Sequence, residues 1–410
     1  MNQALQTLID RGFFAQCTDI EGLSKKMDEG PVTFYVGCDP TGPSLHIGHI
    51  VPFFALRHLH EAGHRAIALI GGGTARIGDP SGKTEMRKML SYEQLDENSA
   101  AIAKQLDDFV GFDGKTAFSE NNKNWLEGLN YIDFLRDIGV HFSVNKMLTF
   151  ESYKKRMETG LSFIEFNYQL LQSFDFLQLF IRHGCVLQIG GDDQWGNIVA
   201  GIDLIRRKTG GEAFGLTFPL ITRSDGKKMG KSEKGAIFLD PKLTGVYDFF
   251  QYWRNVADAD VKKFLLLFTF LPVEECESIV AGDINAAKER LAFEVTKIIH
   301  GEEEGKKALE GAKAAFGKGG DLSSMPTFAV ETDRLSAGAL LIDLTVESGM
   351  AATKSDVRRL MQQGGFFLSV NGEERKITEA TSTVTQGDFQ AGDVIIRCGK
   401  KKFMRLVVKD

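Results

Sequence analysis

The sequence predicts an α/β fold, built on a doubly wound parallel sheet, for the first half of the chain. Between residues 32 and 221, short β-branched or apolar runs alternate with longer stretches of helical periodicity. The runs end in glycine-rich, polar turns, as strands of a parallel sheet commonly do. The chain has 410 residues, which is enough for two or three domains. In such a sheet, ligands are expected in the crevice at the carboxyl ends of the strands.

The turn after the first predicted strand organises this half of the chain. Residues 33–38 form the strand, and residues 39–43 read Asp-Pro-Thr-Gly-Pro, which indicates a turn. From Ile47 the apolar residues follow a helical period. His46 and His49 therefore lie at a helix start, where free N–H groups and the helix dipole favour anions. For two histidines alone, capping or core packing is the favoured explanation, and only the second motif described below changes that.

A second loop has a composition suited to phosphate. Strand 65–70 is followed by Gly71-Gly72-Gly73-Thr74 and by a turn that contains Asp79. Lys83 and Arg87, four residues apart, share one helical face and could hold phosphate oxygens. The alternative is a solvated loop with two ordinary cations. The pattern is not a Walker motif.

The segment 163–180 is predicted to be a buried helix with one polar strip. Its residues are apolar nearly all round, except that Tyr168, Gln172 and Asp175 share one face. A buried carboxylate needs a partner. The three side chains either bond to one another and to backbone, or line a pocket for a small polar ligand.

Composition changes twice more along the chain. A catalytic domain is predicted over 1–240, with a helical insertion at 110–180, and a helical domain over 241–320. Residues 321–335 are predicted to be a linker. Residues 336–410 form a small α+β domain, with an Asn-Gly hairpin turn and two basic clusters. Such clusters bind RNA or are merely solvated.

Overall composition excludes several classes of protein. No apolar run is long enough to cross a membrane, and the N-terminus lacks the features of a signal peptide. Five scattered cysteines suggest neither a zinc site nor a disulfide framework, and they fit a reducing cytoplasm. The formal net charge is −6, so contact with RNA must depend on local basic patches.

Two motifs, taken together, resemble those of class I aminoacyl-tRNA synthetases. They are His46-Ile-Gly-His49 and Lys228-Met-Gly-Lys-Ser232, roughly 180 residues apart. Tyr35, with Tyr168, Gln172 and Asp175, makes the chain similar, over almost its full length, to bacterial-type tyrosyl-tRNA synthetases. Gly230 departs from the general signature, which has serine there. The C-terminal part resembles the small α-L RNA-binding module, and the first domain would be Rossmann-like.

The resemblance implies a role for each candidate residue. Tyr35 and Asp175 would bond to the substrate phenol, and Tyr168, Gln172 and Asp79 would hold its ammonium group. With Gln188, these residues form the implied tyrosine site. The implied ATP site comprises Gly37, Asp39, His46, Gly48, His49, Gly190, Asp192, Gln194 and Lys231. The implied catalytic residues are His46, His49, Lys228 and Lys231, with Thr41, Lys83 and Arg87 as additional candidates. The implied tRNA-binding residues are Arg358, Arg359, Lys400, Lys401 and Lys402.

The implied reaction has two steps. The tyrosine carboxylate attacks the α-phosphate of ATP, and the tyrosyl-adenylate then passes tyrosine to the terminal ribose of tRNA(Tyr). Because the substrate supplies the nucleophile, the enzyme positions the reactants and stabilises charge. Mg²⁺ would arrive with ATP rather than in a protein cage. The family also implies a cytoplasmic homodimer.

Three alternatives stay open at this point. A tryptophan-specific relative would share the fold and both signatures. A small nucleotidylyltransferase could share the His-x-Gly-His turn, but it would not need the later domains. An RNA-binding scaffold derived from a synthetase would have a damaged active site.

Overall fold

The computed structural model describes residues 1–81, 90–224, 226, 229, 231–232, 235–316, 325–399 and 402–409. Helices and strands are numbered separately in chain order. The helices are α1 (Gln3–Arg11), α2 (Ile20–Glu29), α3 (Ile47–Glu61), α4 (Tyr92–Val110), α5 (Lys123–Leu126), α6 (Tyr131–Asp137), α7 (Val144–Met147), α8 (Glu151–Thr159), α9 (Phe163–Phe166), α10 (Tyr168–His183), α11 (Trp195–Thr209), α12 (Val246–Arg254), α13 (Val261–Phe268), α14 (Val273–Ala281), α15 (Ile284–His300), α16 (Glu302–Phe316), α17 (Thr332–Ala337), α18 (Leu341–Glu347), α19 (Lys354–Gln362) and α20 (Gln386–Ala391).

The strands are β1 (Gln16–Cys17), β2 (Thr33–Cys38), β3 (Arg65–Ile70), β4 (Ala117–Asn121), β5 (Cys185–Gly191), β6 (Phe214–Phe218), β7 (Lys231–Ser232), β8 (Gly235–Ala236), β9 (Thr327–Glu331), β10 (Ala339–Leu340), β11 (Phe366–Val370), β12 (Glu373–Lys376), β13 (Thr383–Val384), β14 (Val394–Cys398) and β15 (Lys402–Lys409).

The predicted doubly wound sheet is confirmed. Its strand order is β1-β6-β5-β2-β3-β4, and every pair is parallel except β1 with β6. From the central strand β2 the chain builds outwards through β3 and β4, and it then returns to the other side of β2 with β5 and β6. The switch in winding direction therefore lies between β2 and β5, where this class of sheet opens a crevice.

The helix that contains the polar strip is shorter than predicted and begins after a break. Asn167 separates α9 from α10, so the polar strip begins at the first residue of α10. A buried ion pair holds this junction. Arg156 of α8 donates to both carboxylate oxygens of Glu165, at 3.1 and 3.0 Å, and both side chains are 3% exposed. Ser162 also donates to Glu165, which closes a capping box on α9.

The chain divides into two compact units whose boundaries differ from the predicted domains. The first unit comprises Met1–Thr244 and Ala257–Asp283, and the second comprises Gly245–Val256 and Ile284–Asp410. Residues 257–283, predicted as part of the helical domain, thus belong to the first unit. One reason is Arg11 of α1, whose buried guanidinium donates to backbone carbonyls that follow and end α13.

The last part of the chain forms a five-stranded sheet in the order β12-β11-β14-β15-β9. The predicted Asn-Gly turn joins β11 to β12, and Asn371 and Gly372 have φ values of 50° and 80°, as a two-residue hairpin requires. Strand β9 falls within the predicted linker 321–335 and pairs with β15. Its short apolar alternation does not by itself predict a strand, because the strand with which it pairs lies 78 residues later in the sequence.

In the part of the chain that the structure describes, no helix is both long and apolar enough to cross a membrane.

Candidate active site

A cavity of about 460 Å³ opens at the carboxyl ends of β2 and β5. It lies within the first unit, at the predicted switch in winding direction. Most of the residues proposed from the sequence line it. They are Tyr35, Gly37, Asp39, Thr41, His46, Gly48, His49, Asp79, Tyr168, Gln172, Asp175, Gln188, Gly190 and Gln194.

One end of the cavity presents a buried carboxylate. Asp175 of α10 is 1% exposed and accepts hydrogen bonds from Asn122 Nδ2 at 2.8 Å and from Trp125 Nε1 at 2.7 Å. Burial raises the pKa of Asp175 to about 7, although both hydrogen bonds favour the charged form. Two donors fix the orientation of this carboxylate, and each oxygen keeps acceptor capacity for a ligand.

Tyr35 of β2 brings a hydroxyl to the same end of the cavity. The residue is 1% exposed, and its ring packs against Phe176, with ring centroids 5.2 Å apart. Burial is the main cause that raises the pKa of Tyr35, and the nearby charge of Asp175 is the second cause. The hydroxyl therefore stays protonated. The hydroxyl oxygen is buried and has no hydrogen-bond partner within the described ranges. A buried donor beside a buried acceptor suits a phenol, which both accepts and donates.

The other two members of the polar strip each bond to a residue outside the strip. Tyr168 donates to Asp39 Oδ2 at 3.1 Å, and Gln172 accepts from Asn197 at 3.0 Å. Asp79 accepts from Gln194 at 2.9 Å and is 8% exposed. The strip thus places acceptor oxygens around one region of the cavity, as an ammonium group requires.

The helix start at His46 is built as a cap as well as a candidate anion site. His46 is the N-cap of α3, and its Nδ1 accepts from the Gly48 N–H at 3.0 Å. The rings of His46 and His49 stack with centroids 3.6 Å apart. The capping interpretation of His46 is therefore confirmed, and it leaves both rings on the cavity wall.

The lysine-rich loop passes close to this helix start. A Cβ atom at Gly48 would lie 3.0 Å from the backbone oxygen of Met229 and 2.9 Å from the ring of His46. Only glycine leaves room for that approach. Lys228 lies outside the described residues, and Lys231 belongs to β7. The backbone of Met229, a described residue of the second signature, therefore lies against the start of α3.

Several predicted residues do not reach the cavity or are not described. Asp192 does not line it, because its carboxylate accepts from Gln16 at 2.6 Å and from Thr217 at 2.9 Å. Its neighbour Asp193 lines the cavity instead. Two adjacent aspartates follow β5, and sequence alone could not tell which one turns inward. Lys83, Arg87, Lys400 and Lys401 lie outside the described residues.

Sequence reasoning missed three residues that support the site. Asn122 donates both to Asp175 and to Thr74, and Thr74 donates to Asp39 at 2.8 Å. Together with Trp125, these residues connect the carboxylate of α10 to the turn after β2. A possible signal was that Asn122 follows strand β4, at the same sheet edge as the other candidates.

In the described ranges, no cluster of three or more His, Cys, Asp or Glu side chains could hold a metal ion.

Residues 27–317 match the family described as tRNA synthetases class I (W and Y). Over 408 residues, the chain is 63% identical to a tyrosine–tRNA ligase of Treponema denticola, covering 99% of this chain and 100% of that one. It is 59% identical to a tyrosine–tRNA ligase of Treponema pallidum, covering 99% of each.

Solved structures of tyrosyl- and tryptophanyl-tRNA synthetases also resemble this chain. A C-terminally truncated mitochondrial tyrosyl-tRNA synthetase of Coccidioides posadasii is 32% identical, with a TM-score of 0.65, and the match covers 75% of this chain and 90% of that one. The corresponding enzyme of Aspergillus nidulans is 29% identical, with a TM-score of 0.69, and the match covers 76% and 94%. A tryptophanyl-tRNA synthetase of Encephalitozoon cuniculi, 17% identical with a TM-score of 0.56 over 74% of this chain and 87% of that one, shares the fold.

Proposed function

The chain belongs to the class I tRNA synthetases for tryptophan and tyrosine, and its activity is tyrosine–tRNA ligation; we propose that the cavity described above carries out that reaction, with the following roles. Its substrates are tyrosine, ATP and tRNA. The observation that carries the choice of residues is the buried pair of Tyr35 and Asp175, a donor beside an acceptor, at one end of a cavity that also contains the predicted ATP turn.

Tyr35 and Asp175 bind the phenol of the substrate. The phenol donates to a carboxylate oxygen of Asp175 and accepts from the hydroxyl of Tyr35. Phenylalanine would leave both buried groups without a partner, and an unsatisfied buried polar group costs about 1–3 kcal/mol. The same argument disfavours tryptophan, whose indole N–H can donate to Asp175 but offers nothing to Tyr35.

The acceptor oxygens of Asp79 and Gln172, with Tyr168 alongside, hold the ammonium group. These contacts to the ammonium group keep the carboxylate of the tyrosine substrate near the turn of His46 and His49, where ATP is bound. Gln188 adds a buried side-chain oxygen that has no partner in the described ranges, and it completes the tyrosine site.

The tyrosine carboxylate attacks the α-phosphorus of ATP. A new P–O bond forms, the bond to the bridging oxygen breaks, and pyrophosphate leaves. His46, His49, Lys228 and Lys231 stabilise the charge that builds on the phosphate oxygens. Thr41, Lys83 and Arg87 are further candidates for the same task. Mg²⁺ enters bound to ATP, as a component of the substrate.

The remaining ATP contacts surround the helix start. Gly37, Gly48 and Gly190 allow the nucleotide to approach the backbone, and Asp39 and Gln194 offer polar contacts. Asp193 replaces Asp192 among our candidates, because it is Asp193 that lines the cavity.

The second step uses the C-terminal part of the chain. A hydroxyl of the terminal ribose of tRNA(Tyr) attacks the acyl carbon of the adenylate, and AMP leaves. Arg358 and Arg359 are exposed on α19, although Arg359 also pairs with Asp356 at 2.8 Å. These two arginines bind tRNA phosphates together with Lys402 and with Lys400 and Lys401, which lie outside the described residues.

The active form is a homodimer in the cytoplasm. Six of the thirteen strongly exposed large apolar side chains of the described residues fall within residues 131–163, which is more than isolated exposure would produce. A second copy of the chain is the partner that would cover them. The five cysteines are all free thiols, as expected in a reducing compartment.

The test is amino-acid-dependent exchange of pyrophosphate into ATP, with tyrosine, tryptophan and phenylalanine supplied separately. We expect exchange with tyrosine alone, and transfer of tyrosine to tRNA(Tyr) on its addition. Exchange with tryptophan would overturn the roles of Tyr35 and Asp175. Absence of exchange with all three would overturn the proposed reaction at this cavity.

A further inference from the structure

The five-stranded sheet of the second unit has one face that packs on helices and one that does not contribute to its core. Phe366, Leu368, Val394, Ile396 and Leu406 pack in a single core with residues of α17, α18 and α19. The residues between them in each strand point to the opposite face, because successive side chains alternate. That outer face is therefore separate from α19, which carries Arg358 and Arg359.

A row of alternating cations and aromatic rings crosses the outer face. Lys376, Phe367, Arg397 and Phe403 stand directly opposite one another on the adjacent strands β12, β11, β14 and β15. We call these four residues the cation–aromatic row. Phe367, Arg397 and Phe403 are half-buried, and Lys376 is exposed.

Several contacts hold the guanidinium group of Arg397 in place within this row. Its guanidinium carbon lies 3.7 Å from the ring centroid of Phe367. Glu374 accepts from its Nε and Nη2, and the carbonyl of Gly399 accepts from its Nη1 at 2.7 Å. These contacts hold the guanidinium in place against the ring of Phe367, so little conformational entropy remains to be lost on binding.

We propose that the cation–aromatic row binds unpaired bases of the tRNA by stacking, an inference that rests on the proposed function. RNA-binding sheets present aromatic rings and arginine planes to splayed-out bases in this way. Because Glu374 offsets the charge of Arg397, the feature of Arg397 that RNA can use is its planar guanidinium rather than a net positive charge.

The charge of this region fits a nucleic acid. Residues 325–410 contain twelve Lys and Arg residues against eleven Asp and Glu residues, whereas the whole chain has a formal net charge of −6. This part of the chain is thus close to neutral in an acidic protein, so phosphates are repelled less there than elsewhere on the chain.

The decisive comparison is between two arginines on the same face. Arg397→Lys keeps the charge but removes the plane that stacks. Arg405→Lys is the matched control. Arg405 is also half-buried and pairs with Asp393 at 2.7 Å, but its cross-strand neighbours are Ile395 and Thr327, neither of which is aromatic. Phe403→Leu tests the row without changing charge.

Binding of the full-length chain is measured by fluorescence anisotropy with a single-stranded RNA hexamer, with the matching abasic hexamer, and with tRNA(Tyr), all at one fixed salt concentration. We expect Arg397→Lys and Phe403→Leu each to weaken binding of the base-containing RNAs by about 5-fold or more. The abasic hexamer should bind all variants and the wild type equally. Arg405→Lys should stay within about 2-fold of the wild type.

Three results would overturn the proposal. Wild-type affinity of both Arg397→Lys and Phe403→Leu would mean that the row does not contact RNA. An equal loss for the abasic hexamer would mean that only phosphates are bound. An equal loss in Arg405→Lys would mean that charge or general folding of the module is responsible. Tyrosine-dependent pyrophosphate exchange is measured in parallel. It should be unchanged, so a failure of the proposed reaction is recognised separately.

Discussion

At the scale of single residues, the active site depends on a carboxylate held where water would not solvate it. Asp175 is buried, and it is oriented by Asn122 and Trp125 rather than neutralised by a cation. That arrangement raises its pKa to about 7. Near neutral pH, therefore, a small change in proton concentration alters the protonation of the carboxylate that we propose accepts the phenol.

The affinity for tyrosine should depend on pH through Asp175. The ionised carboxylate is the better acceptor for the phenol, so affinity should rise by up to about tenfold per pH unit below pH 7 and level off above it. Equilibrium dialysis of tyrosine between pH 5.5 and 8.5 measures this. Asp175→Asn should bind tyrosine weakly and with little dependence on pH. An affinity in the wild type that is flat across this range would contradict the prediction.

The same group links pH to stability, with the opposite sign from a salt-bridged carboxylate. An aspartate in the unfolded chain loses its proton near pH 3.9, whereas Asp175 in the folded protein keeps it to about pH 7. Between these values the folded state binds more protons. The free energy of unfolding should therefore fall as pH rises through this window.

How far the sequence predicts this site depends on the kind of contact. The polar strip of Tyr168, Gln172 and Asp175 was predictable, because helical spacing alone places them on one face. Asn122 and Trp125 were not, because they follow another strand and meet Asp175 only through tertiary packing. The sequence could not show which of Asp192 and Asp193 lines the cavity for a related reason, since a turn has no periodicity that assigns side chains to a face.

At the scale of elements, the junction between α8, α9 and α10 sets the position of the polar strip. The sequence predicted one helix over 163–180, but the capping box of Ser162 and Glu165 starts a separate short helix, and α10 begins at Tyr168. Burial raises the pKa of Glu165, but hydrogen bonds from Arg156 and Ser162 outweigh burial and lower it. The carboxylate therefore stays charged beside Arg156.

Removing one partner of this ion pair should be costly. Glu165→Gln would leave the guanidinium of Arg156 buried without its counter-charge, and we expect the free energy of unfolding to fall by about 3 kcal/mol. Urea unfolding of the full chain, followed through the first unit, measures the change. Asp108→Asn, at the exposed pair with Lys104, is the control and should change little. Equal effects of the two substitutions would count against a structural role for the buried pair.

At the scale of the whole molecule, the chain consists of two units, each with its own apolar core. The first contains the doubly wound sheet and the cavity, and the second contains the five-stranded sheet with its own apolar core. The alternation of strands and helices predicted the first architecture. It did not predict that residues 257–283 join the first unit, because the contacts of Arg11 span more than 250 residues of sequence.

A charge placed in the exposed apolar segment should dissociate the homodimer that we propose. Val140 is 70% exposed within residues 131–163, and Val140→Glu would bury a carboxylate in the subunit contact. Sedimentation velocity should show a shift from dimer to monomer at micromolar concentration. Ile181→Glu is the control, because Ile181 is 60% exposed but lies outside this segment. A wild type that sediments as a monomer would rule out the homodimer.

The most direct test of the central claim is the ratio of pyrophosphate-exchange efficiencies, kcat/KM, for tyrosine and for phenylalanine. The claim is that Tyr35 and Asp175 recognise the phenol, so Tyr35→Phe should lower the ratio about fivefold, the equivalent of one hydrogen bond. Tyr153→Phe removes a buried hydroxyl that bonds to the carbonyl of Phe166, away from the cavity lining, and should leave the ratio unchanged. An unaltered ratio in Tyr35→Phe, or an equal fall in Tyr153→Phe, would contradict the claim.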